Sequence, residues 1–112
     1  MPDVNEQTEM LQEITRRIQA TTAAERIILF GSYARGDAGA DSDLDLLVVV
    51  REVRHPRQES TRIRRALRGL LVPIDVIVAT PEEVDRYRDS IGLVYRTALK
   101  EGVVLYERAT AA

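Results

Sequence analysis

The sequence predicts an α/β fold, a β-sheet with helices packed on it, and three observations carry that expectation. Short β-prone apolar runs alternate with segments whose apolar residues recur at helical spacing. Residues that start or stop elements sit between them: Gly31-Ser32, Gly39, Pro56, Thr80-Pro81 and Gly102. The 112 residues are 45% hydrophobic, enough for one core, and the chain is too short for two. One domain is therefore expected over residues 1–112, with an N-terminal helix within 1–22 and a core over about 24–107. Aromatic residues make up only 4%, so Val, Ile, Leu and Ala must fill that core.

From the N-terminus, Val4 to Ala20 predict an amphipathic helix with Val4, Leu11, Ile14 and Ile18 on one face. Asp3 and Glu6 have capping-box spacing. Arg26 to Phe30 predict a strand that stops at Gly31-Ser32, and a helical turn through Ser32 to Arg35 ends at Gly36. Asp37 to Ser42 is small and polar, a loop. Leu44 to Arg51 predict the second strand, and its unbroken apolar run Leu46 to Val50 implies cover on both faces. Pro56 opens a helix to about Leu70, striped by Ile63, Ala66, Leu67 and Leu70. Val72 to Ala79 predict the third strand. Thr80-Pro81-Glu82-Glu83 then starts a helix with a capping threonine, a first-turn proline and a glutamate that completes the box. A break near Asp89-Ser90 leads to a last helix with Ile91, Val94, Tyr95, Ala98 and Leu99 on one face, ended by Gly102. Val103 to Tyr106 predict a final edge strand.

Composition excludes several function classes. There is no cysteine, hence no disulfide, cysteine nucleophile or thiolate zinc site. His55 is the one histidine and cannot supply a histidine-rich metal site. The net charge of −2 does not describe a polybasic nucleic-acid binder, so nucleic acid is not expected as a direct ligand. Met1 to Met10 is acidic and polar, unlike a signal peptide, and the run Leu46 to Val50 is far too short to span a bilayer. A cytoplasmic protein without a membrane partner is expected.

The residues that carry chemistry lie in Gly31-Ser32-Tyr33-Ala34-Arg35-Gly36, a loop, and Ser42-Asp43-Leu44-Asp45. Asp43 and Asp45, two apart at the start of a strand, point to one face. Carboxylates so placed repel unless a cation or proton intervenes, and Mg²⁺ is bound by one or two carboxylates together with phosphate oxygens. Asp75 interrupts the apolar run of the third strand and joins the same cluster if that strand lies beside the second. Three carboxylates around a pair of metal ions equip a site for in-line displacement at phosphorus. The Gly31-Ser32 turn offers backbone N–H groups and a hydroxyl to a phosphate. Each part alone is commonplace; the order and spacing together point to a metal-bound triphosphate.

Gly31-Ser32, ten intervening residues, then Asp43-Leu44-Asp45 resembles the signature of the polymerase-beta-like nucleotidyltransferase superfamily. The string GSYARGDAGADSDLDLLV, the later VPIDVIVATPEEV and the closing ALKEGVVLYE resemble its minimal nucleotidyltransferase (MNT) branch. The resemblance implies a mixed β-sheet with helices and Mg²⁺-dependent transfer of AMP from ATP to an acceptor hydroxyl. It implies that Asp43 and Asp45 ligate two Mg²⁺ ions and that Asp75 ligates the catalytic one and helps activate the acceptor. Gly31 and Ser32 would hold the β- and γ-phosphates. MNT proteins are often antitoxins of HEPN-family toxins, and some transfer AMP to a toxin tyrosine, so a HEPN toxin is the expected partner. Two other readings stand beside it: an antitoxin acting by contact alone, and a transferase for a small molecule or RNA end.

Other residues have plainer readings. Arg35 reaches a phosphate or pairs with Asp41. Arg57, Arg64 and Arg68, with Arg54, Arg62 and Arg65 near, form a solvated helix face or meet an acidic partner or RNA. His55 caps or decorates a loop. Tyr33 flanks the nucleotide or packs on the strand, and Tyr87, Tyr95 and Tyr106 are core or interface residues. The apolar edge Val103 to Tyr106 leaves homo-oligomerisation open.

Overall fold

The computed structural model describes residues 4–39, 41–87, 98 and 100–108, with side chains from residue 7 onward. Among the described residues the bounded elements are α1 (Val4–Thr21), β1 (Ala24–Phe30), α2 (Ser32–Arg35), β2 (Leu44–Val50), α3 (Pro56–Ala66), β3 (Ile74–Ala79), α4 (Pro81–Tyr87) and β4 (Val103–Glu107). The strands form one sheet in the order β3-β2-β1-β4. β1 runs antiparallel to both β2 and β4, whereas β2 and β3 are parallel, so the sheet is mixed. A parallel pair needs a long connection, and α3 provides it.

Alternation along the strands sends side chains to two cores. Ile27 and Leu29 of β1, Leu44, Leu46 and Val48 of β2, and Val76 and Val78 of β3 pack with Ile14 and Ile18 of α1 and Ile63 of α3. Ile28, Phe30, Leu47, Val49 and Ala79 face the other way and pack with Val84 of α4 and Ala98. The central strands are thus covered on both faces, which is why Leu46 to Val50 reads as a continuous apolar run. Aliphatic residues fill both cores, with Phe30 and Tyr33 the aromatic members.

Several boundaries depart from the sequence expectation, α1 and β4 by one residue at their C-terminal ends and others as follows. α3 ends at Ala66 rather than near Leu70, because the amides of Leu67 and Arg68 turn to carbonyls three residues back and Gly69 takes φ 89°. β3 begins at Ile74 rather than Val72: Pro73 has no N–H to give a ladder, and Leu71 stands fully in solvent. β1 starts two residues early, at Ala24, and β2 ends at Val50. At α4 the capping box forms as read, Thr80 N–H donating to Glu83 Oε1 and Glu83 N–H to Thr80 Oγ1, each at 3.2 Å. Of the last helix, Ala98, Lys100 and Glu101 are helical, while Ile91, Val94, Tyr95 and Leu99 lie outside the described residues, as does Asp3. No helix among the described residues is long and apolar enough to cross a membrane.

Candidate active site

β1 ends at Phe30, and the chain turns sharply at Gly31 with φ 78° and ψ −156°, a region essentially closed to side-chain-bearing residues. A second constraint is independent of that torsion: a methyl group on Gly31 would overlap the Asp45 carboxylate. The turn therefore brings bare backbone against an acid, and only glycine allows it. The Gly31 carbonyl accepts the amides of Ala34 and Arg35 at 3.1 Å, closing α2. Ser32 and Tyr33 head that turn, where amides have no intrahelical carbonyl to reach. Gly36 closes it with φ 82°, its N–H returning to the Ser32 carbonyl.

The loop from Asp37 to Asp43 is tied at both ends. Asp37 N–H donates to Ser32 O at 3.0 Å, Gly39 N–H to Ser42 Oγ at 2.8 Å, and Ala38 is buried. Leu44 N–H then donates to Pro73 O at 2.8 Å, so the entry to β2 is fastened to the entry to β3.

That fastening sets the register of the acids. Asp45 pairs with Phe30 on one side and with Asp75 on the other, across the parallel β2–β3 ladder. Asp43 lies just ahead of β2, whose first ladder residue is Leu44, where the sequence places the start of that strand. Asp45 is half-buried, Asp43 and Asp75 are exposed. Partial burial raises the Asp45 pKa, and the charges of Asp75 and Asp43 push it further the same way, with Arg35 opposing. Asp75 and Asp43 thus both act on Asp45 through space, although among the described residues no three acidic or histidine side chains close into a ligand cluster.

Arg35 does not pair with Asp41. Its Nε donates to Asp37 Oδ2 at 3.2 Å and its guanidinium lies 3.8 Å from Glu101. The sequence did not single out Asp37 or Glu101. Asp37 was hidden by the path of the loop, and Glu101 sits 66 positions away with no local pattern to mark it. Tyr33 packs into the core beneath the turn instead of facing outward. His55 occupies the residue before α3 without a side-chain capping bond.

A mixed sheet with an acid pair across its parallel strands, next to a glycine turn, defines a nucleotidyltransferase-type scaffold. The chain matches the nucleotidyltransferase domain family over residues 9–105 and belongs to it. Two Methanocaldococcus jannaschii proteins provisionally named protein adenylyltransferases are similar in sequence. One is 40% identical over 49% of this chain and 54% of its own length, so the match spans about half of that relative. The other is 34% identical over 73% of this chain and 78% of its own length. A solved structure provisionally named a minimal nucleotidyltransferase superposes with a TM-score of 0.65 at 30% identity, covering 91% of this chain and 95% of that one. The fold is also that of the complex of a tri-AMPylated Shewanella oneidensis HEPN toxin with its MNT antitoxin, at TM-score 0.55, 17% identity and coverage of 91% and 73%.

Proposed function

We propose that this chain works in the cytoplasm as one Mg²⁺-dependent nucleotidyltransferase domain that moves AMP from ATP to a tyrosine hydroxyl of a partner HEPN-family toxin, as an antitoxin. The observation that carries the reading is the placement of Asp45 opposite Asp75, with Asp43 one residue before β2 and the Gly31 turn against the Asp45 carboxylate. The raised pKa of Asp45, driven in part by its two acidic neighbours, is the electrostatic condition that a divalent cation relieves. All donors are hard oxygens, which suits Mg²⁺. The relatives named for protein adenylylation and the fold shared with a toxin–antitoxin complex support the same reading.

Asp43, Asp45 and Asp75 would hold the metal ions, which neutralise charge on the triphosphate and stabilise the charge that builds during transfer. The Gly31-Ser32 backbone and the Ser32 hydroxyl would take the outer phosphates, and Arg35 would exchange Asp37 or Glu101 for a phosphate oxygen. Asp75, the most open of the cluster's strand acids, would accept the hydroxyl proton of the acceptor. The acceptor oxygen bonds to the α-phosphorus, the α–β bridging bond breaks, and pyrophosphate leaves.

The test is incubation with Mg²⁺, α-labelled ATP and the co-purified partner, with Asp43→Asn and Asp45→Asn in parallel. Label should move to a protein band and disappear in both variants. Absence of transfer with every triphosphate, alongside full partner binding by the variants, would sink the enzymatic reading and leave an antitoxin acting by contact.

A further inference from the structure

We infer that the arginine face of α3 and the turn that follows it, with Leu71 just beyond, form the docking surface for the acceptor protein, which presents an acidic surface with an apolar recess. This rests on the reading that the nucleotide goes to a protein.

Charge is segregated in this chain. Residues 51–68 carry seven arginines and two glutamates, yet the whole chain has a net charge of −2, so the rest is strongly acidic. α3 buries Ile63 and the next turn buries Leu67, which leaves Arg57, Arg64 and Arg68 in a stripe on the opposite side with Arg54 and Arg65 beside it. All five are exposed, and among the described residues none makes a side-chain hydrogen bond or ion pair. Arg51 and Arg62 are different, being engaged by Glu25 and by Glu59 and the Thr21 carbonyl. Uncompensated arginines side by side repel, and an acidic partner removes that cost.

The second observation is Leu71. It is fully exposed, whereas Leu70 beside it packs against the core. One exposed leucine is ordinary. This one follows the arginine stripe, three residues beyond Arg68, just after a turn that the Arg17 guanidinium ties down by donating to Ala66 O at 3.3 Å and to Arg68 O at 2.8 Å. Two residues later Pro73 takes the Leu44 amide, and Asp75 follows. The patch therefore leads directly to the acids. Arginine is enriched where protein partners bind most tightly, and an exposed leucine beside the stripe adds apolar area that a recess in the partner would bury. Phosphate backbones would use the arginines but have no use for Leu71, and the ring nearest the arginines, the His55 imidazole, stands before the first residue of α3, at the other end of the helix from Leu71.

Fluorescence anisotropy tests this directly with two labelled probes, a 15-residue Glu/Leu-containing acidic peptide and a 15-nucleotide single-stranded RNA. They are titrated against wild type, Arg64→Glu/Arg65→Glu/Arg68→Glu and Leu71→Ser. Every substituted side chain is exposed, and circular dichroism checks folding. The peptide is expected to bind, to weaken at least about tenfold in the triple variant and about threefold in Leu71→Ser, and to weaken with salt. Tighter binding of RNA that ignores Leu71, or peptide binding that is absent or unchanged in the variants, overturns the proposal. Asp45→Asn should bind the peptide normally. If peptide binding behaves as expected but no protein accepts label, the transfer reading falls and the surface stands.

Discussion

Replacing Asp45 with asparagine should make the metal-free protein more stable while removing its response to Mg²⁺. Asp45 faces Asp75 across the β2–β3 ladder, and partial burial and the Asp43 charge add to the repulsion. Like charges at facing sheet positions cost about 0.2–1 kcal/mol, so the variant should gain about 0.5–1 kcal/mol in EDTA at neutral pH, or about 2–5 °C in Tm. Magnesium at ten times its dissociation constant should restore about 1.4 kcal/mol to wild type and almost nothing to the variant. The pH dependence follows from the direction of the Asp45 shift. Its folded pKa lies above the ordinary 3.8, so the folded state holds this proton more tightly than the unfolded chain does. Its favourable contribution is complete below 3.8 and is lost as pH rises through the raised value. The stability gap between variant and wild type should therefore be near zero in acid and full at neutrality. Thermal melts with EDTA or Mg²⁺ across that range decide the matter. A variant that is less stable without metal, or that gains as much from Mg²⁺ as wild type, would refute the placement of Asp45 among mutually repelling ligands.

Four other substitutions probe separate parts of the structure. Gly31→Ala forces a side chain into a torsion that excludes it and against Asp45, which should cost about 1–3 kcal/mol in urea denaturation and abolish label transfer. Leu46→Ala opens a cavity at a fully buried position and should cost about 2–5 kcal/mol by the same measurement. Thr80→Ala removes the α4 cap and should lower stability by about 1 kcal/mol, with transfer kinetics unchanged. Arg35→Gln should raise the KM for ATP severalfold and, by removing the cation that opposes the Asp45 shift, push that carboxyl further up; an unaltered KM would take Arg35 out of the nucleotide site.

Much of this was legible in the sequence because it rests on local rules. The Thr80 to Glu83 box, the Gly31 and Gly36 turns and the continuous apolar run of β2 are each written in a few adjacent residues. Even the gathering of Asp45 and Asp75 could be anticipated, on the condition that β3 lie beside β2. The sheet order and the antiparallel placement of β4 could not be read from residue patterns, because pairing depends on contacts between distant segments. Arg35 shows the limit most clearly. Its choice of Asp37 over Asp41 follows from how the loop folds back through the Asp37 amide and the buried Ala38, and its approach to Glu101 needs the C-terminal segment in place. Val72 was likewise expected to open the third strand, and Pro73, with no N–H for a ladder, sets its start at Ile74.

The cover on both faces of β1 and β2 has a kinetic consequence. Amide exchange in a sheet proceeds by opening of its least protected members, and here those are the edges β3 and β4, while β1 and β2 have neighbours on every side. Gly31 leaves the end of β1 and Asp45 belongs to β2, so both are anchored to the slowest-exchanging strands, whereas Asp75 rides on an edge. Partial opening of β3 would withdraw one carboxylate and keep the other two in register. Such openings should disperse the acid cluster without unfolding the protein, and a bound metal ion bridging Asp45 and Asp75 would slow exchange along β3 far more than along β1.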